Sequence, residues 1–343
     1  MKALLTAEIS EPHIKELESV VDIHYAGWVK EKKILTEDQM ADLVKDKEIL
    51  ITSYDPVTKK VIDVATGLKL IVCTRANPVN IDTGYAKQKG IKVSYAPGRN
   101  TMCTAEYTVA LMLSIMRKIP MAYADLHNVK HVAEKKLENT IKDGLRSDVT
   151  WALDDNSPYV LYKGSQMYGR TLGIVGYGSI GRTVGKICRG FGMNILIYDP
   201  FVDTNTLEEN TFSVSFDELL GKADIVTVHC KDTPETYKLI NADAFNKMKK
   251  TTYFVNTSRG ALVDEQALID ALLNHKIAGA AVDVFESEPI SKDHPFITQC
   301  DNIVITPHLA GATYDAIINH TIALVKDVKH FVNGEPLEYQ YMG

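Results

Sequence analysis

The segment 176–181, Gly-Tyr-Gly-Ser-Ile-Gly, constrains the fold of this chain more than any other part of its sequence. It follows an apolar stretch at 172–175 and opens a helical pattern that continues to about Phe191. In a strand, turn and helix of this kind, the glycines permit a tight bend, close approach of the backbone to a pyrophosphate, and close packing of helix on sheet. The helix N-terminus then faces the phosphates. We therefore predict a dinucleotide site that includes Gly176, Gly178, Ser179, Ile180 and Gly181.

Asp199 indicates which dinucleotide this site would bind. It lies at the end of the next predicted strand, residues 194–198. A carboxylate at this position accepts hydrogen bonds from the hydroxyls of an adenosine ribose and repels a 2′-phosphate. The sequence therefore predicts NAD, rather than NADP, as the cofactor. The alternative is a glycine-rich turn without a ligand, followed by an exposed aspartate before Pro200.

Short apolar stretches that read as strands form two series along the chain. The first series covers residues 3–6, 20–24, 49–52, 70–73 and 92–95, and the second covers 171–175, 194–198, 225–229, 253–256, 279–282 and 303–306. Helical patterns separate the members of each series, which favours parallel sheets covered by helices on both faces. We also predict an apolar helix at 104–117, which opens the second domain, and an amphipathic helix at 312–331, which returns the chain to the first.

We therefore expect an α/β protein with two Rossmann-like domains. A doubly wound, parallel-sheet NAD domain at 104–311 would be inserted into a flavodoxin-like substrate-binding domain formed by 1–103 and 312–343.

The composition excludes several other classes of protein. Hydrophobic residues make up 45% of the chain and charged residues 24%, which is typical of soluble globular proteins. The net charge of −6, without a basic stripe, argues against a nucleic-acid partner. The N-terminus reaches Glu8 before an apolar segment develops, so we expect no export, no membrane partner and a cytoplasmic location. Five cysteines without CxxC spacing predict reduced thiols and no metal site.

Polar residues follow three strands of the second series: Arg259, Glu288 and His308. Ligands of open α/β sheets bind beyond the carboxyl ends of the strands, so these side chains could converge there. Reduction of a carbonyl group by a nicotinamide puts negative charge on the carbonyl oxygen, which a guanidinium stabilises, and an imidazole beside a carboxylate can deliver the proton. Taken singly, each residue could instead be a surface ion pair, a turn histidine or a solvated acid. Glu286 is a rival carboxylate, which we expect to be solvated.

The order and spacing of three motifs resemble one family over nearly the whole chain. Asn-Thr-Ser-Arg-Gly at 256–260, Asp-Val-Phe-Glu-Ser-Glu-Pro at 283–289 and Thr-Pro-His at 306–308 are similar to those of the D-isomer-specific 2-hydroxyacid dehydrogenases. This family includes phosphoglycerate, glycerate and D-lactate dehydrogenases and glyoxylate/hydroxypyruvate reductases. The resemblance implies NAD-dependent hydride transfer to or from C2 of a small 2-hydroxy acid. It also implies that Arg259 binds substrate, Glu288 holds the acid/base His308, and Asp283 contacts the nicotinamide carboxamide.

The resemblance implies further binding residues. The segment 228–236 is similar to the family's adenosine-side segment, although Lys231 replaces the usual proline. The cofactor contacts implied in this way are His229, Cys230, Thr233, Thr257 and Gly311. The segment 74–82 aligns with a glycine-rich loop that grips the substrate carboxylate, and 97–101 with a second lining of the same cleft. The substrate contacts implied are Arg75, Ala76, Asn77 and Asn100, although Pro78 has no N–H group to donate and Arg99 could be only a surface residue.

Arg75 bears on the choice of substrate. A second guanidinium in addition to Arg259 suits acids with a polar or phosphorylated far end, such as hydroxypyruvate, glycerate or phosphoglycerate. Alternatively, Arg75 points to solvent or pairs with an acid. The segment 126–169 is longer than usual in the family, and we expect it to be helical over 130–148 and to form the arm of a homodimer. The alternative function from another class is a non-catalytic, NAD-sensing binding module.

Overall fold

The computed structural model describes residues 1–132, 134, 141–142, 145–146 and 155–342, with backbone alone at 141–142 and 145–146. The chain forms two compact units, Met1–Cys103 with Gly311–Gly343, and Thr104–Ala310. Among the described residues, no helix combines the length and the hydrophobicity needed to cross a bilayer.

The N-terminal part of the chain alternates strands and helices. Its elements are β1 (Lys2–Leu5), α1 (Glu11–Glu18), β2 (Asp22–Tyr25), α2 (Trp28–Glu31), α3 (Glu37–Val44), β3 (Ile49–Thr52), α4 (Lys59–Val64), β4 (Leu70–Cys73), α5 (Thr83–Gln88) and β5 (Lys92–Ser94). A long helix, α6 (Thr101–Met116), follows.

The remaining elements continue this alternation. They are α7 (Ile119–His127), β6 (Ile141–Lys142), β7 (Leu145–Arg146), α8 (Pro158–Leu161), β8 (Thr171–Val175), α9 (Ser179–Gly190), β9 (Asn194–Tyr198), β10 (Thr211–Ser213), α10 (Phe216–Lys222), β11 (Ile225–Val228), α11 (Ala242–Lys247), β12 (Tyr253–Asn256), α12 (Glu265–Leu273), β13 (Gly279–Val282), α13 (Pro295–Thr298), β14 (Ile303–Ile305) and α14 (Tyr314–Val332).

The sheet of the first unit is parallel, with strand order β2-β1-β3-β4-β5. This is the flavodoxin-like order predicted from the sequence. Every residue of β3 and β4 is buried, because helices cover both faces of the sheet. Helix α14 packs on the face that carries Leu5 and Val72, through Leu324 and Val328.

The sheet of the second unit is also parallel, with strand order β10-β9-β8-β11-β12-β13-β14. The six strands from β8 to β13 have the order of a dinucleotide-binding fold. Strand β14 is an additional strand at the edge next to β13. Buried side chains form a core on each face. All its strands are parallel, so their carboxyl ends meet at one edge of the sheet.

Several predicted bounds and elements differ from the structure. Strand β10 was missed because it has only three residues, two of them exposed, and so lacks an apolar run. The prediction of a helix over 130–148 is wrong at β6 and β7, which pair antiparallel. The sequence between them, Asp-Gly, is one that favours two-residue hairpin turns over helix. Part of the predicted arm, at 133, 135–140, 143–144 and 147–154, lies outside the described residues.

Candidate active site

The glycine turn after β8 has the geometry that a dinucleotide needs. Gly176 has a φ of +89°, and a Cβ atom there would lie 2.5 Å from the Cys230 nitrogen. A Cβ on Gly181 would lie 2.3 Å from the Gly176 carbonyl oxygen. Gly178, in contrast, caps α9, and a Cβ there would meet nothing within 4 Å. The turn is therefore closed on the protein side and open in front of the helix N-terminus, which fits a pyrophosphate.

Asp199 fastens the glycine turn while keeping acceptor capacity for a ribose. One carboxylate oxygen accepts a hydrogen bond from the Tyr177 N–H at 2.7 Å, and the other accepts from the Phe201 N–H at 2.9 Å. A carboxylate has about four acceptor positions, so two remain for ribose hydroxyls. Phe201 itself is 94% exposed beside Asp199, an exposed aromatic ring that the sequence analysis did not single out.

The segment after β11 is held by its own hydroxyl groups. The Thr233 N–H donates to the Thr236 hydroxyl at 2.9 Å, and that hydroxyl donates to the Lys231 carbonyl at 2.6 Å. Side chains thus shape the loop where Lys231 replaces proline. Burial lowers the pKa of His229 to about 4 and raises the pKa of the Cys230 thiol, so both side chains are neutral at pH 7.

Thr257 uses its hydroxyl inside the protein. The Thr108 hydroxyl donates to the Thr104 carbonyl at 2.7 Å, so the Thr257 hydroxyl is the donor in its own 2.7 Å contact with Thr108. Its side chain is buried. The cofactor contact predicted for Thr257 would therefore have to come from its backbone.

Asn256 shapes the loop that carries Arg259. Its side-chain amide donates to the Arg259 carbonyl at 2.9 Å and its side-chain oxygen accepts from the Ser258 N–H at 3.0 Å. A Cβ on Gly260 would lie 2.0 Å from the Phe285 carbonyl oxygen, so only glycine fits between the two loops. The Arg259 side chain is exposed at the carboxyl edge of the sheet. Asn256 and Gly260 therefore bend the chain so that the Arg259 side chain is exposed.

The structure brings the predicted histidine and glutamate together. His308 Nδ1 lies 2.7 Å from Glu288 Oε2, and the other oxygen of Glu288 accepts from the Phe285 N–H at 3.2 Å. With a carboxylate on Nδ1, the neutral ring carries its hydrogen on that nitrogen, and Nε2 is the atom that can exchange a proton with a ligand. His308 itself has a φ of +56°, and its N–H donates to the Asp283 carbonyl at 2.8 Å.

Asp283 is buried beneath the histidine loop. One of its carboxylate oxygens accepts from the Thr306 hydroxyl at 2.5 Å and the Leu309 N–H at 2.9 Å, and the other accepts from the Ala310 N–H at 2.8 Å. It therefore holds the loop on both sides of His308, a bracing role that the sequence analysis missed. The predicted contact of Asp283 with the nicotinamide stays a prediction.

Glu286, the rival carboxylate, is exposed as expected and is also paired with a lysine. Its Oε1 atom lies 2.8 Å from the Lys238 ammonium group, and its side chain is 37% exposed. The charge is therefore already paired, whereas Glu288 faces the imidazole.

In the first unit, the loops after β4 and β5 carry the predicted substrate residues. The Arg75 guanidinium lies 4.8 Å from the centre of the Tyr54 ring, so it is stacked rather than paired with an acid. The Ala96 N–H donates to the Arg75 carbonyl at 3.0 Å and joins two of these loops. Arg99, for which the sequence left a surface position open, is partly buried, and desolvation together with the charge of Arg75 lowers its pKa.

The other predicted residues of this unit differ in exposure. Ala76 and Asn77 are exposed, and Asn100 is half-buried. A Cβ on Gly311 would lie 2.8 Å from the Asn100 side-chain nitrogen, so Gly311 packs against Asn100 in the first unit. Its predicted contact with the cofactor stays a prediction. Within the described ranges, neither Arg75 nor Arg99 forms an ion pair, and no group of three His, Cys, Asp or Glu side chains could hold a metal ion.

Comparison with known proteins identifies the family. Residues 109–310 match the family described as D-isomer specific 2-hydroxyacid dehydrogenase, NAD binding domain. The chain belongs to this family. It is 36% identical over 340 residues to a D-3-phosphoglycerate dehydrogenase of Archaeoglobus fulgidus, and the alignment covers 98% of this chain and 58% of the relative. It is 36% identical over 321 residues to a glyoxylate reductase of Thermofilum pendens, and the alignment covers 92% of this chain and 86% of the relative.

The fold comparison agrees with the family. The apo-structure of D-lactate dehydrogenase from Escherichia coli superposes with a TM-score of 0.76 at 28% identity and covers 100% of both chains. The predicted fold class, the NAD-binding domain and the membership of an oxidoreductase family are therefore confirmed. The chain spans 58% of the length of the Archaeoglobus relative, and the relatives carry the names of different substrates.

Proposed function

We propose that this protein is an NAD-dependent D-2-hydroxyacid dehydrogenase, or 2-oxoacid reductase. The observation that carries the proposal is the 2.7 Å contact between His308 Nδ1 and Glu288, at the same sheet edge as the glycine turn and Arg259. A turn shaped only to bind NAD as a signal has no need of an imidazole with a carboxylate behind it.

Each residue has a distinct role in this proposal. Gly176, Gly178 and Asp199 hold NAD, which, when bound, accepts or supplies a hydride at its nicotinamide. Arg259 binds the substrate carboxylate and stabilises the negative charge that develops on the carbonyl oxygen during reduction. His308 gives its Nε2 proton to that oxygen, and takes it back in the oxidative direction. Glu288 holds the ring and stabilises its protonated form.

The proposed substrate is a small 2-hydroxy or 2-oxo acid with a polar or phosphorylated far end. Arg75 supports this choice because it is stacked on Tyr54 and has no acidic partner among the described side chains, so its charge is available to a ligand. We propose that Arg75 binds the far end of hydroxypyruvate, glycerate or phosphoglycerate.

A turnover panel tests the function. NADH oxidation is followed with glyoxylate, pyruvate, hydroxypyruvate and 3-phosphohydroxypyruvate, using wild type, His308→Ala and the control His24→Ala, which changes an exposed histidine of the first unit. We expect His308→Ala to lose turnover while still binding NADH, and His24→Ala to match wild type. No turnover by wild type with any acid would favour the NAD-sensing module.

Arg75→Ala should raise KM for the polar or phosphorylated acid much more than for glyoxylate, and an equal change would remove Arg75 from substrate selection.

We also propose that the protein is a homodimer located in the cytoplasm. Helices α7 and α8 are tied together by the Lys118 ammonium on the Leu161 carbonyl at 2.9 Å and by the Tyr162 hydroxyl on Asp125 at 2.5 Å. These helices and the turn after α7 expose a set of large apolar side chains, which are Ile119, Tyr123, Leu126, Val129, Tyr159, Val160 and Leu161. A patch of this kind supports an interface between two copies, and a monomer at micromolar concentration in sedimentation would contradict it. All five cysteines are free thiols, which supports a reducing compartment.

A further inference from the structure

Glu265 is a partly buried acid directly behind the proposed catalytic loop. It is the first residue of α12, whose N-terminus is capped by the Asp264 side chain on the Ala267 N–H at 3.3 Å. Its Oε2 atom accepts a hydrogen bond from the Glu286 N–H at 3.1 Å. Its Oε1 atom lies 2.9 Å from His294 Nε2, and the two side chains are 19% and 16% exposed. Both oxygens of this carboxylate are therefore held.

His294 fixes the direction of the hydrogen bond with Glu265. Its Nδ1 atom accepts from the Phe296 N–H at 3.2 Å, so the hydrogen of the neutral ring is on Nε2 and points at Glu265. The ring also contacts the Phe296 ring, with 4.7 Å between centroids. Glu265 thus receives two N–H groups, one from a ring that is itself held and one from the backbone of the loop.

The backbone that Glu265 holds lies between the two halves of the proposed catalytic site. The Glu286 N–H and the Phe285 carbonyl belong to one peptide group and point in opposite directions. The carbonyl side meets Gly260, next to Arg259, where a Cβ would lie 2.0 Å from the oxygen. On the other side of the same residue, the Phe285 N–H donates to Glu288 at 3.2 Å. A rotation of this peptide would therefore disturb both Arg259 and Glu288.

We propose that Glu265, oriented by His294, is a positioning residue that sets the geometry of both Arg259 and the Glu288–His308 pair. The inference rests on the roles proposed above for those three residues. Glu265 does not touch the substrate in this proposal. It acts through one peptide group, which sets the positions of the Arg259 guanidinium and the His308 proton donor relative to each other.

Glu265→Gln isolates this contribution with almost no change in volume. The amide has one oxygen, so its NH₂ group must face either the Glu286 N–H or the His294 Nε2–H, and two donors then oppose each other. His294 cannot relieve this by moving its hydrogen to Nδ1, because that nitrogen accepts from Phe296. We expect kcat to fall about tenfold, since loss of a supporting hydrogen bond around a site typically costs that much or more. The Kd for NADH should stay within about twofold, because the glycine turn is on β8 and α9.

The pH profile and a double variant separate positioning from loss of stability. Glu288→Gln should move the alkaline fall of kcat/KM for reduction to lower pH, because the carboxylate no longer stabilises the protonated ring. We expect Glu265→Gln to shift the profile in the same direction by a smaller amount. The rate losses in the double variant should be less than multiplicative, because Glu265 acts in part through Glu288. The matched control is Glu218→Gln, which removes an exposed ion pair with Lys222 in the same unit and should leave rate and profile unchanged.

Three outcomes would overturn the inference. These are an unchanged kcat in Glu265→Gln, a fall in kcat with an unchanged pH profile, and rate losses in the double variant that multiply. If Glu288→Gln and His308→Ala are themselves fully active, the proposed function fails. If they are inactive and Glu265→Gln behaves as wild type, only the positioning role fails.

Discussion

At the scale of single residues, Asp199 combines a structural role with a proposed recognition role. Its two oxygens hold the N–H groups of Tyr177 and Phe201, so it shapes the turn even before a nucleotide binds. Its charge is what would reject a 2′-phosphate. A substitution that removed both the acceptor oxygens and the charge could not separate these two roles. Asn is therefore more informative than Ser at this position, because its amide retains a carbonyl oxygen in place of the carboxylate.

We therefore predict that Asp199→Asn reduces the preference for NADH over NADPH while the protein stays folded. The amide removes the negative charge and keeps one acceptor oxygen, so one of the two hydrogen bonds to the Tyr177 and Phe201 N–H groups remains and the other is lost. The ratio of kcat/KM for the two cofactors should fall by about tenfold or more, which corresponds to about 1.4 kcal/mol of lost discrimination. Steady-state kinetics with both cofactors measures this. Equal use of NADH and NADPH by wild type would show that Asp199 does not select the cofactor.

At the scale of elements, the Arg259 loop and the loop after β13 are in close contact and together carry the second unit's site. Only glycine at position 260 allows this contact, because a Cβ there would lie 2.0 Å from a backbone oxygen, which cannot move aside as a flexible side chain can. Backbone atoms on both sides are held by neighbouring hydrogen bonds, so one loop must move if a side chain is introduced.

Gly260→Ala should accordingly lower kcat/KM by about tenfold or more, because loops that carry Arg259 and Glu288 are pushed apart. The control is Gly190→Ala at the end of α9, where an added Cβ meets nothing within 4 Å and φ is not in the left-handed region. Far-UV circular dichroism should show both variants folded. Gly260→Ala with wild-type kinetics would mean that the contact does not set the geometry of the site.

At the scale of the whole molecule, a buried histidine makes stability depend on pH. His320 on α14 is 4% exposed, and its Nε2 atom donates to the Glu8 carbonyl at 2.8 Å. Burial, together with the charge of Arg99, lowers its pKa to about 4. The folded-state pKa lies below the unfolded value of about 6.5, so the unfolded chain binds more protons between these two pH values. This contribution to stability is complete above about pH 6.5 and is lost as the pH falls toward 4.

We predict that His320→Gln weakens this dependence. Gln can still donate to the Glu8 carbonyl but does not titrate. Between about pH 7.5 and about pH 4.5, the free energy of unfolding should fall by about 2 to 3 kcal/mol less in the variant than in wild type. Urea denaturation at the two pH values measures the difference. Parallel losses in both proteins would show that other groups account for the acid sensitivity.

The sequence by itself determined the parallel α/β class and the positions of most strands along the chain, because strands buried on both faces are continuous apolar runs. It also determined the glycine turn and the candidates Arg259, Glu288 and His308, because each follows the carboxyl end of a strand. The sequence does not reveal strand β10, because it is short and mostly exposed, nor the antiparallel pair β6 and β7, because a mixed-charge composition is typical of a helix.

Only the tertiary structure decided which polar group meets which. Glu286 and Glu288 are two residues apart and chemically identical, yet one pairs with Lys238 and the other with His308. Asp283 and Glu265 carry no sequence signal of their bracing contacts, because their partners are N–H groups of residues far along the chain. Sequence periodicity reports which face of an element is buried, whereas hydrogen-bond pairing depends on the distances between loops that only the packed sheet sets.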